Sequence, residues 1–554
     1  MSAALLLCGA LISACGGGSD DELAADQVAA EAGDTPVVSA PPFDADSAPP
    51  AMAPVSDTTK RPPPEASAAP PVEAAPPSEQ APAAPSQPVP APVEPDADAG
   101  ERETDALQAA ASNGRYALPT MPSPPASAID VTKVCNGECP RPNDSKDDTA
   151  AIQYALDKAK SGQWLVFPPG HYLIGTSLKV RVPGLTLWGK GATLHATNPD
   201  NQSIVIETDG TRIYNFKLTA VTAKRGKTHQ HTRIAVYPNK DQQPVVRDTV
   251  IRRNQIVPAG DPGTPLAHGG SASGIFLSSA DGFLVAENTV VRTLADAIHI
   301  TGGSKNGKVI ANKVRENGDD MIAMVSYAYS RATSSAREML QSYDARASSN
   351  QVRNIVVAHN DLAGQYWGRG LTVVGGRDIT IYDNRIANTA HGAAILVVRE
   401  SSYGTFGVEN VVVEKNRIED VQNKNPPYDF ERKFANGGRT GHGAIEVHSS
   451  LRDDEAALST LSNNFAVKSV VIRDNRITRS ATPGVRVGVG DGRLAGIYIE
   501  NNTLSEIKAS DAIRVYDAAK GEVNCNGNNN AGAALSAKNC GSARAPSSID
   551  GAGS

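Results

Sequence analysis

Between Ile251 and Leu504 the apolar positions recur in one short pattern: a β-branched residue, two variable residues, an Asn, one variable residue, then Ile, Val or Leu. It reads IRRNQI, VAENTV, VIANKV, VAHNDL, IYDNRI, VEKNRI, IRDNRI and IENNTL, with Asn254, Asn288, Asn312, Asn360, Asn384, Asn416, Asn475 and Asn502 at the fixed place. The gaps 288–312 and 360–384 are both 24 residues, the gap 312–360 is 48, and the others are longer than 24. A polar residue held between apolar ones in every copy predicts a structural role, in which stacked amides hydrogen-bond to one another inside a turn.

Beyond most of these Asn residues comes a second short strand. The segments align as DAIHI (296–300), DMIAM (320–324), RGLTV (369–373), AAILV (393–397), GAIEV (443–447), GVRV (484–487) and DAIRV (511–515). Alternation sends one aliphatic set inward and the intervening side chains outward, with the leading residue at the strand head. A leucine-rich repeat has a similar period and also uses Asn, but it predicts Leu at the apolar positions and near-constant length. This chain uses Ile and Val and accepts insertions of differing size, which predicts short parallel strands joined by variable turns. The expected fold is all-β, a right-handed parallel β-helix whose coils stack at ~4.8 Å. Its outward column of side chains forms a wall suited to an extended polymer.

The flanks divide the chain further. MSAALLLCGALISACGGGSDD has an apolar run too short to span a bilayer, followed by small residues. ISAC at 12–15 resembles the bacterial lipoprotein lipobox, which implies lipidation of Cys15; Gly16 after it implies outer-membrane sorting. An ordinary secretory signal is the alternative. Residues 16–114 are dominated by Pro, Ala, Ser, Asp and Glu, and they lack the apolar surface to offset ordering entropy. The expected organisation is a signal at 1–15, a disordered Pro/Ala-rich tether at 16–114, a β-helix domain at 115–545 and a flexible tail at 546–554. Cys135 with Cys139 opens the domain and Cys525 with Cys540 closes it. Pairing within each set fits an exported protein, and placement at opposite ends argues against a four-Cys zinc site. A net charge of -7 argues against a nucleic-acid partner.

The domain opening, NDSKDDTAAIQYALDKAKSGQWLVFPPGHYLIGTSL, begins with cap-forming residues and continues with a helical apolar pattern at Ala151, Ile152, Ala155, Leu156 and Ala159. A helix there covers the open end of a solenoid. The same stretch resembles the start of the pectate-lyase-like β-helix superfamily, which includes hydrolases, lyases and phage tail proteins and so leaves activity open.

Asp296 heads one strand and Asp320 heads the next, with Asp319 just before it. One repeat of separation places the three carboxylates together, where each perturbs the others and lets one act as acid while another acts as base. LADAIHITGGSKNGKVIANKVRENGDDMIAM is similar to the active-site region of the polygalacturonases, glycoside hydrolase family 28, with their NTDGIHI-type strand and GDDCIAI in the next coil. The resemblance implies Asp319 as general acid, Asp296 and Asp320 as holders of the attacking water, and an inverting reaction. The family's next coil carries GHG; here it reads GRG, with Arg369 at the His position. The family's carboxylate-binding RIK falls one coil further, where this chain offers only Arg399. A literal GHG occurs at 441–443 around His442, and GVRV resembles RIK; both are expected to line distant subsites.

His299 alternates with Ile298 and Ile300 and is expected to face outward beside Asp296. Arg369 is expected to meet a substrate carboxylate or to neutralise the Asp cluster. Insertions at 326–350 and 424–439 are expected on the binding face, with Tyr327, Tyr329, Tyr366 and Trp367 available to stack on sugar rings. The expected activity is hydrolysis of an acidic polysaccharide by a membrane-anchored monomer, with no cofactor or metal. Two alternatives remain: a β-helix lyase or uronate epimerase using Arg369 or a Tyr as base, and a non-catalytic polysaccharide-binding surface protein or adhesin.

Overall fold

The computed structural model describes Leu107, Ala109, Ala111 and residues 114–552, apart from 222–230, 240–242, 260–272, 329–342, 424–439, 453–464 save Glu455, 489 and 536. The signal with Cys15, nearly all of the tether, Tyr329 and the insertion at 424–439 lie outside the described residues. None of the described helices is long and apolar enough to cross a membrane.

The eight-copy repeat sets the architecture. Three sheets of 15, 11 and 13 strands run the length of the domain, and every pairing is parallel except a terminal hairpin at Asn529↔Ala534. The 11-stranded sheet contains β1 (Ser273–Ser278), β2 (Ile298–Thr301), β3 (Ile322–Val325), β4 (Leu371–Val374), β5 (Ile395–Arg399), β6 (Ile445–Ser449), β7 (Val485–Val487) and β8 (Ile513–Val515). Their register is the one alternation predicts: Ile298↔Ile322↔Leu371↔Ile395↔Ile445↔Val485↔Ile513. All of these face inward and are buried in one continuous core. Each such side chain contributes roughly 1.5–3 kcal/mol by leaving water.

The Asn ladder closes one corner of every coil. Each backbone N–H and each side-chain Nδ2 of an Asn donates to Oδ1 of the Asn one coil on, as in Asn360 to Asn384 at 3.0 and 2.9 Å. The series runs from Asn254 to Asn502 and ends on a ninth rung, Asn528, which the repeat pattern does not include. The residue just before each of the eight patterned Asn takes a left-handed backbone with φ between +48° and +60°. That conformation is costly for residues such as Arg253, Glu287 and Lys415. The paired amides on the following residue hold the corner against that cost.

Helix α1 (Thr149–Lys158) covers the N-terminal end, burying Ile152, Ala155 and Leu156 in the same core as Leu178 and Val180. Asp148 does not cap it through its side chain; its carboxylate instead accepts from Arg141 N and Leu173 N. Cys135–Cys139 and Cys525–Cys540 form the two expected disulfides.

Both ends of the domain depart from expectation. Residues 546–554 were expected as a flexible tail, but Ile549 packs on Val412 and Val471, while Ala552 joins Ile310, Val356 and Ala358. Ala111, inside the segment expected to be tether, belongs to that second cluster with Tyr116 and Leu118 beside it. Arg115 pairs with Glu414 at 2.8 Å, and His359 Nε2 lies 2.8 Å from the Arg115 carbonyl. The reason is apolar: the outer face of the 15-stranded sheet carries aliphatic side chains that need cover. Ala111, Tyr116 and Leu118 therefore lie against that sheet.

Candidate functional site

The site is built on the heads and tails of β2 to β5. Asn317 donates to the carbonyls of Asp319 and Asp320 at 2.7 and 2.9 Å, which fixes the turn that presents both acids. Two glycines make room for it. A Cβ on Gly318 would meet the Leu294 carbonyl at 2.2 Å, and one on Gly368 would meet Asp319 Oδ1 at 2.2 Å.

The structure brings the predicted trio together: oxygens of Asp296, Asp319 and Asp320 all lie within 4.8 Å of one another. Asp296 accepts from Asp320 N at 2.9 Å and sits 2.6 Å from His299 Nδ1. His299 faces outward as predicted and stacks on Phe276, with ring centres 5.3 Å apart. Asp320 accepts from Arg369 N at 2.8 Å and from Thr372 Oγ1 at 2.9 Å. Burial raises the Asp320 pKa well above the usual carboxylate range; Arg369 opposes the rise, and Asp319 and Asp296 add to it. Asp319, half-buried, is the member nearest solvent.

Arg369 stands at the centre. Its Nε lies 3.1 Å from Asp320 and its Nη2 3.5 Å from Glu400. Burial works against its charge, but Asp320, Glu400 and Asp319 outweigh burial and raise its pKa. These contacts are those of the second of its two expected roles, beside the Asp cluster. Glu400 is a fourth carboxyl group in the site, missed by the sequence reading, which stopped one residue earlier at Arg399.

Arg399 is a correction. It was expected to bind substrate, but it is fully buried, pairs with buried Glu455 through Nη1–Oε2 at 2.6 Å, and bonds the Thr405 and Ser450 carbonyls. Its guanidinium also lies 4.4 Å from the Phe465 ring. Outward Leu396 and Val398 on β5 put Arg399 on the inner phase and Glu400 on the outer one. Arg399 is thus not available to read a substrate carboxylate.

The aromatic predictions divide. Tyr327 is 38 % exposed, and burial of its hydroxyl, reinforced by Asp296, Glu400, Asp319 and Asp320, raises its pKa. Tyr403, not predicted, is raised the same way beside Glu400. Trp367 stacks on His391 with centres 5.9 Å apart and planes 19° apart. Tyr366 is 1 % exposed and packs inside, so it offers no face to a ligand. His442 lies three strands beyond Asp320, from β3 to the head of β6, too far to touch the same ring. Of the insertion at 326–350, the described part ends in helix α2 (Tyr343–Asn350), whose Tyr343 packs on Phe406 and Phe465.

Chemically the site holds four carboxyl groups, one guanidinium, two phenols and one imidazole, midway along the outer face of the 11-stranded sheet. Comparison with known proteins agrees with the architecture. A family described as right handed beta helix region matches residues 268–451. No curated protein sequence matches the chain. Among solved structures, the Agl-KA catalytic domain is 19 % identical over 75 % of this chain and 67 % of that one, with a TM-score of 0.50. The A-module of the mannuronan C-5 epimerase AlgE6 from Azotobacter vinelandii is 15 % identical over 74 % of this chain and 97 % of its own, also at 0.50. A GH87 alpha-1,3-glucanase catalytic domain in complex with nigerose is 15 % identical over 78 % and 70 %, at 0.49. The sheets, their register, the family match and the two likenesses at 0.50 agree on one conclusion: the chain folds as a right-handed parallel β-helix.

Proposed function

We propose that the chain is a polysaccharide-processing enzyme that hydrolyses glycosidic bonds on the outer face of its 11-stranded sheet. The carrying observation is the set of three carboxyl groups within 4.8 Å, whose most buried member has its pKa raised well above the usual carboxylate range by burial. In this reading Asp319, nearest solvent, protonates the leaving oxygen, and Asp320 beside it is the proton reserve. Asp296, held by His299 and the Asp320 N–H, orients the attacking water with Asp320. The trio is more compact than the ~6.5–9.5 Å that separates the carboxyls of an inverting pair, which makes Glu400, set apart on the guanidinium, the candidate second carboxylate.

Elimination or epimerisation needs a base to remove a ring proton. Both phenols here are pushed upward and Arg369 is held charged, so none of these three side chains is poised to accept one. The deciding assay incubates the full chain with a panel of polysaccharides and reads new reducing ends beside ultraviolet absorbance. Reducing ends without absorbance support hydrolysis; an unsaturated, absorbing product supports a lyase; binding with neither supports the surface-protein reading. The proposal includes a lipid at Cys15 and an outer-membrane location, for which Cys15→Ser should shift the protein from the membrane to the soluble fraction.

A further inference from the structure

A second cluster of buried polar side chains stands on the same face, unused by the chemistry above. Three strand spacings from β3 to β6 put it ~14 Å from Asp320 along the column. Glu446 and His448 alternate outward on β6, with His448 Nδ1 2.8 Å from Glu446 Oε1. Glu446 Oε2 accepts from Gly443 N at 2.9 Å and lies 3.5 Å from Arg486 Nη1 on β7. His442 stacks on His448, with ring centres 6.3 Å apart and planes 22° apart. Its Nδ1 is taken by Thr440 Oγ1 at 2.9 Å.

Two features point to a ligand. Each imidazole has Nδ1 fixed by a protein oxygen, and neither Nε2 has a protein partner among the described residues, so two ring nitrogens are oriented and left open side by side. The charge is also balanced. Glu446 and Arg486 compensate each other, and His442 is neutral at ordinary pH, its pKa lowered by burial to about 4. Such a set offers oriented hydrogen-bonding groups beside an ion pair already matched within the protein, which suits ring hydroxyls. At the two clusters the carboxyls Asp296, Asp319, Asp320, Glu400 and Glu446 face Arg369 and Arg486, each guanidinium ion-paired with one or more of them, and Arg514, in register with Arg486 one strand on, pairs with Asp511. A carboxylated ring would meet repulsion at the first cluster and no unmatched cation at the second.

We propose that the His442–Glu446–His448–Arg486 cluster is a distal subsite for an uncharged, hydroxyl-bearing sugar ring of the same chain that is cut at the Asp trio. This rests on the proposed function, and it changes the expected substrate from an acidic polysaccharide to one whose units at both places are neutral. It also requires the ligand to span several rings between the clusters, so affinity must rise with chain length.

The test measures binding of the full protein to end-labelled oligosaccharide ladders of neutral glucans, mannans and galactans and of polyuronates. At least one neutral ladder should bind with a step in affinity once an oligomer reaches from one cluster to the other. His442→Ala should weaken only the oligomers beyond that step, by about tenfold for a lost hydrogen-bond partner, and His442→Gln should recover part of the loss. The proposal is overturned if polyuronates bind more tightly than every neutral ladder, if no neutral ladder binds, if affinity is flat with length, or if His442→Ala weakens short and long oligomers alike. Reducing ends from the bound ladder are scored separately. Their absence with the step intact removes the hydrolase reading and leaves the subsite standing.

Discussion

Two columns of polar side chains run through the same coils, one at an inner corner and one on the outer face, and they obey opposite rules. The inner column repeats a single residue, and each Asn satisfies the next through paired bonds of 2.8–3.0 Å. The outer column repeats nothing: Asp296, Asp320 and Arg369 follow one another, with like charges adjacent and Arg369 shared between Asp320 and Glu400. A column that completes its own hydrogen bonds has nothing left for a ligand. A column that leaves like charges crowded is where a functional role is expected. Identity along a solenoid therefore marks structure, and departure from identity marks chemistry.

Substitutions at five places sharpen that contrast. The largest effect is expected from Asp319→Asn or Asp320→Asn, each of which should lower the reducing-end rate on a cleaved polysaccharide by ~10²–10⁴-fold while leaving the melting curve close to wild type. Next is Arg399→Met, which takes the buried guanidinium away from Glu455 and should cost ~3–5 kcal/mol in denaturant unfolding; Arg399→Met with Glu455→Leu should regain most of it. Asn360→Ala breaks the inner column and strands its neighbours' polar groups, for ~1–3 kcal/mol in the same measurement, with activity per folded molecule unchanged.

The smallest effects are in pH. Arg369 lowers the Asp320 pKa, so Arg369→Gln should move the alkaline limb of the activity profile to higher pH. His442 has a folded pKa of about 4, below its unfolded value, so the unfolded chain takes up its proton first on acidification. Stability should fall between pH 6.5 and 4, the interval bounded by these two values. Glu446, lowered to about 2 by His442, His448 and Arg486 against burial, adds a further loss below its usual range. His442→Gln should flatten the first interval and shrink the second, read as melting temperature against pH.

The inner column and the strand register were legible in the sequence because both depend on period alone. The trio was legible for the same reason, since equal phase in successive coils means contact. Arg399 was misread and Glu400 missed because strand phase decides which of two neighbouring residues faces out, and they stand where β5 ends and the corner begins. Glu446 and His448 had a signal, two polar residues two apart in an otherwise apolar strand, whose outward pairing alternation predicts. His391 had none, because its stacking on Trp367 joins two loops of different coils. The packed tail was illegible because Ile549 and Ala552 are isolated apolar residues in a polar segment, and their cover is a distant sheet.

The most direct test of the account is the fate of water. A polysaccharide cleaved by the full chain in water enriched in heavy oxygen should carry one heavy oxygen at each new reducing end, and Asp320→Asn should abolish that labelled product. An unlabelled product with an ultraviolet-absorbing double bond, or labelled product made equally well by Asp320→Asn, would contradict it.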